Sequence, residues 1–68
     1  MNNETTQESK VPVKAYSKGE LKDLYGVSHY TLRVWLKPFI DDIGIIAGGM
    51  YTPKQIEIIF SKIGNPSE

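Results

Sequence analysis

Within three residues, Gly26-Val27-Ser28, the chain offers both a helix stop and a helix start. Glycine reaches the left-handed conformation that often closes a helix, and serine is a favoured N-cap whose side-chain oxygen accepts a backbone N–H of the first turn. Two helices must therefore be joined by a very short turn. Few small folds tolerate such a joint, and those that do make the second helix cross the first at once.

Two further starts of the same kind flank this one. Ser17-Lys18-Gly19-Glu20 is a capping box, with Tyr16 before the cap and Leu21 after it as a hydrophobic staple. Thr52-Pro53-Lys54-Gln55 repeats the pattern, with proline at the first helical position, where its missing N–H is no loss, and with Tyr51 and Ile56 as the staple. Around Ser28 the staple is Val27 and Leu32. The expected stops are Gly26, Pro38 as a break after Lys37, and Gly64-Asn65-Pro66. Apolar residues recur at helical spacing: Leu21, Leu24 and Tyr25, then Leu32, Trp35 and Leu36, then Ile56, Ile59, Phe60 and Ile63. Only Ile58 falls off its stripe; the hairpin or tail covers it, or it belongs to an association surface.

Between the second and third helices the period changes. Residues 45–47 and 50–52 read as two short strands joined by Gly48-Gly49, a pair suited to a tight turn with positive φ at both positions. The fold class is therefore mainly α, three helices with a short two-stranded β-hairpin between the second and third. With 68 residues the chain is one domain with a small core. Residues 1–10 carry no apolar side chain after Met1, so a flexible tail is expected over residues 1–12 and the folded domain over residues 13–68.

Composition removes several classes of function. There is no cysteine and a single histidine, His29, so disulfides, thiolate metal sites and His-rich clusters are excluded. Asp41 and Asp42 are adjacent in a connection and face no nucleophile–base set, so no catalytic residue, cofactor, metal or small-molecule ligand is expected. No apolar run approaches the roughly 20 residues of a membrane span. A soluble, cytoplasmic protein with no membrane partner is the expectation.

Charge is distributed unevenly. Eight basic and eight acidic residues give a net charge of zero, yet residues 24–40 hold Arg33 and Lys37 with no acid among them. On a wheel of about 100° per residue with Leu32 at zero, Leu36 falls near 40° and Trp35 near 300°, while Arg33, Lys37, Tyr30 and Val34 fall near 100°, 140°, 160° and 200°. The buried stripe and a basic, aromatic outer face are thus opposite each other, and Trp35 borders the stripe closely enough to be expected largely in the core. Arg33 can pair with a guanine edge or clamp a phosphate, Tyr30 can donate to a phosphate or pack on a thymine methyl, and Lys37 can neutralise a phosphate. Free N–H groups after Ser28 favour an anion at the start of the helix, with His29 beside them. Lys14, Lys18 and Lys22 read as solvated charge, with contact to a nucleic-acid backbone the alternative.

The stretch YSKGELKDLYGVSHYTLRVWLKPF, followed by the expected hairpin and YTPKQIEIIFSKIG, resembles the winged helix-turn-helix of MerR-type regulators and the related small excisionase-like proteins, over about residues 16–64. The resemblance rests on Tyr16-Ser17, the Gly26-Val27-Ser28 turn, Thr31-Leu32-Arg33 with an aromatic at Trp35, and the tyrosine-capped third helix from Tyr51. It implies that the hairpin is the wing, that Tyr30, Arg33 and Trp35 lie near DNA, and that the chain regulates transcription or acts as an excisionase-like recombination factor. The expected contact set on double-stranded DNA is Ser28, His29, Tyr30, Thr31, Arg33, Val34, Trp35 and Lys37. A homo-oligomer or a cooperative assembly on DNA follows from so small a module. The rival is a protein-interaction module on the same scaffold, favoured by the zero net charge and the uncharged residues 45–52.

Overall fold

The computed structural model describes residues 10–46 and 48–67; residues 1–9 of the expected tail, and Ala47 of the expected hairpin, lie outside them. In chain order the elements are β1 (Tyr16–Ser17), α1 (Lys18–Tyr25), α2 (His29–Leu36), a 3₁₀ turn (Lys37–Phe39), α3 (Ile40–Ile43), β2 (Met50–Tyr51) and α4 (Pro53–Ile63). The molecule is mainly helical with one small antiparallel sheet.

Local sequence sets the helix starts. Ser17 Oγ accepts from Glu20 N–H at 3.1 Å while Glu20 Oε1 accepts from Ser17 N–H at 2.9 Å. Thr52 and Gln55 repeat this at 3.2 and 2.9 Å. Ser28 Oγ accepts from Thr31 N–H at 3.1 Å. The turn between α1 and α2 is a Schellman motif: Gly26 has φ 69°, Gly26 N–H donates to the Asp23 carbonyl and Val27 N–H to that of Lys22. A side chain at Gly26 would be strained by that φ alone.

The sheet corrects the expected hairpin. β2 pairs with β1, Tyr16 opposite Tyr51 and Ser17 opposite Met50, and residues 45 and 46 form no strand. Gly48 and Gly49 do have positive φ, but the ladder beyond them does not form. Two causes are visible. The tyrosines that precede the caps are both buried, and pairing them sets Tyr16 and Tyr51 together on the core. In a hairpin closed by Gly48-Gly49, Thr52 N–H would bond the Ile45 carbonyl. Gln55 takes both groups instead, accepting from Thr52 N–H and donating to the carbonyls of Ile43 at 3.1 Å and Ile45 at 3.2 Å.

The expected break is present, since α2 ends at Leu36 with Lys37 as its C-cap, but Pro38 does not end the helical path. It occupies the start of a new helical turn, where proline fits, so the path continues through the 3₁₀ turn into α3 and delivers Ile43 to the core. The core is Tyr16, Leu21, Leu32, Leu36, Ile43, Tyr51, Ile56, Ile59 and Phe60. Ile58, off its stripe on the wheel, packs half-buried against this cluster, whereas Leu24, expected within the stripe, lies at the surface. Val11 and Pro12 are held too: Asn65 bonds both backbone groups of Val11, and the Tyr16 hydroxyl donates to the Pro12 carbonyl.

Candidate nucleic-acid interface

α2 is fixed by Leu32 and Leu36, which anchor one side of it in the core. Its other side borders an open groove of about 1080 Å³. His29, Tyr30, Arg33, Val34 and Lys37 line it together with edges of Leu32 and Leu36; Ile40, Gly44, Ile45 and Ile46 line it from the segment that follows, and Lys18 from the start of α1 and Tyr51 from β2 also contribute. Five of the eight sequence-expected contact residues are thus brought to one groove. Ser28, Thr31 and Trp35 are not on it. The Ser28 hydroxyl is engaged with the Thr31 backbone and its Oγ1.

Trp35 requires a correction. It is 41% exposed, not a core residue, and its ring meets the Tyr25 ring edge-on at 6.0 Å. Tyr25 fills the space an indole would need: its ring also meets Phe60 at 6.3 Å, and its hydroxyl donates to the Gly64 carbonyl. Burial pushes the Tyr25 phenol up to about 12 and raises that of Tyr51 as well.

The electrostatics of the groove are one-sided. Lys18, Arg33 and Lys37, with His29, border it, and no carboxylate is among its lining residues. Two of the carboxylates elsewhere have cations of their own: Asp23 pairs with Lys22 at 2.7 Å and Asp42 with Lys62 at 3.4 Å. Lys62 also lies over the Phe39 ring, which ties it to the far side of the 3₁₀ turn. Among the described residues, Lys18, Arg33 and Lys37 form no ion pair, so their charge is directed outward.

Lys18 is the groove residue that sequence reasoning passed over as solvated charge. Its signal was present, since it directly follows the Ser17 cap, but only the fold brings the start of α1 to the same groove as α2. The place of Ile45 and Ile46 was hidden for a similar reason, both having been assigned to a hairpin strand. Among the described residues no group of His, Asp and Glu side chains is arranged to hold a metal ion, and no helix is long and apolar enough to cross a membrane. Comparison with family models, curated proteins and solved structures finds no match to this chain.

Proposed function

We propose that this chain is a small DNA-binding protein in which α1, the Gly26 turn and α2 act as a helix-turn-helix, with α2 entering the major groove of duplex DNA. The observation that carries this reading is the groove beside α2, bordered by Lys18, His29, Arg33 and Lys37 and by no carboxylate. A polyanion gains affinity at such a surface by releasing counterions, even from a protein of zero net charge. In this reading the segment bearing Ile45 and Ile46, which also lines the groove, serves as the wing without being a hairpin. Transcriptional regulation or excisionase-like control of recombination is the role proposed, as a binding module with no catalytic step. With so few phosphate contacts, a single copy binds weakly, and assembly of several copies on DNA provides useful affinity.

Titration of duplex DNA at two salt concentrations tests this. Arg33→Ala, Lys37→Ala and Lys18→Ala each weaken binding and reduce the salt slope by about one. Undiminished binding in all three variants would remove α2 and its groove from the contact.

A second reading has its own observation. Ile45 is 89% exposed at the groove wall and Ile40 is exposed beside it, an apolar lining that suits a protein partner. A protein that ignores duplex DNA at low salt but retains a defined protein partner through Ile40 and Ile45 belongs to that class.

A further inference from the structure

The outward side of α2 carries two distinct rows. His29, Arg33 and Lys37 follow at four-residue intervals and form a basic row; Tyr30 and Val34 form an apolar row beside it. Tyr30 is 67% exposed and Val34 48%, although Leu32 and Leu36 of the same helix are buried. The Tyr30 hydroxyl can donate to a phosphate, but the Tyr30 ring and the Val34 side chain add nothing to phosphate binding, which is a matter of charge and hydrogen bonding. They do match the major groove, where the thymine methyl is the apolar group displayed on a base edge. The charge around them, with Lys18, Arg33 and Lys37 unopposed by any carboxylate in the groove, selects a polyanionic partner over an apolar one.

We infer that Tyr30 and Val34 read the 5-methyl groups of thymines, while the basic row beside them holds phosphates and a guanine edge. This rests on the DNA-binding reading of α2. A four-residue interval rises about 6 Å along a helix axis. That is close to two base-pair steps of about 3.4 Å, so the two thymines stand about two steps apart.

The experiment begins by selecting bound sequences from a pool of random duplexes with the full chain. Each thymine of a selected duplex is then replaced singly by uracil, which removes only the methyl, and affinities are measured by fluorescence titration. Loss of a buried methyl weakens binding about fourfold, and two thymines show this loss. Val34→Ala, at a half-exposed helical position outside the core, abolishes the thymine-to-uracil difference at one of them and leaves the other. Binding that depends on Arg33 but is indifferent to uracil at every position overturns methyl readout and leaves the DNA-binding reading standing. Failure to retain any duplex at low salt overturns both.

Discussion

Tyr25 does more than its partial burial suggests. Its hydroxyl bonds the Gly64 carbonyl at the end of α4, and its ring is held between Trp35 and Phe60, so one side chain from α1 fastens both α2 and α4. Ionising it would place a phenolate in a partly desolvated site and remove the donor from Gly64. The desolvation is why its pKa rises from 10.0 to about 12. The unfolded chain releases this proton near 10.0 whereas the folded chain keeps it to about 12, so across that window the folded state binds more protons and stability falls as pH rises. Thermal midpoints measured through this range by circular dichroism should decline. Tyr25→Phe should show a shallower decline, with the remainder due in part to Tyr51, whose phenol is also raised by burial. At neutral pH the same variant should lose about 1 kcal/mol with the hydrogen bond. An alkaline slope identical in both proteins would remove Tyr25 from this role.

At the scale of elements, Gln55 determines the shape of the region beside α2. Its amide completes the cap of α4 and holds the carbonyls of Ile43 and Ile45, so the segment after α3 is pinned to α4 and cannot fold back on Thr52. Gln55→Glu keeps the capping acceptor but replaces the donor with an oxygen facing two carbonyls. Urea unfolding should place it about 1–3 kcal/mol below the parent, more than an exposed substitution costs. A Glu variant as stable as the parent would mean those carbonyls do not depend on Gln55. The capping half of this arrangement was legible in the sequence because Thr52 and Gln55 are neighbours on one turn. The other half was not, since no local pattern links Gln55 to Ile43 and Ile45, or Tyr16 to Tyr51. The same division applies to the candidate site. Periodicity alone put Tyr30, Arg33, Val34 and Lys37 on one face, whereas the place of Lys18 and the exposure of Trp35 depend on what distant residues occupy.

At the scale of the whole molecule, a small core makes closure of the two chain ends matter. Asn65, just past α4, accepts from Val11 N–H at 3.0 Å and donates to the Val11 carbonyl at 2.9 Å, a two-point clamp that resembles one rung of a sheet made by a side chain. Pro12, next in the chain, accepts from the buried Tyr16 at 2.7 Å, so the clamp and the β1–β2 pair form one continuous restraint. The loop closed by this contact spans nearly the whole folded chain, and ordering it opposes folding by an entropy that grows only slowly with length. Asn65→Ala removes both bonds at once, together with those that Asn65 Oδ1 accepts from the exposed Ser67 N–H and hydroxyl, and should lower stability by about 1–3 kcal/mol. In a domain of this size each kcal/mol moves the thermal midpoint by about 4–8 °C, a shift that calorimetry resolves readily. Hydrogen exchange gives the local readout: the Val11 amide should lose its protection in Asn65→Ala, while amides in α4 fall only as far as global stability does. Equal loss at Val11 and in α4 would show that Val11 opens only with the whole molecule, and that the clamp is no separate restraint.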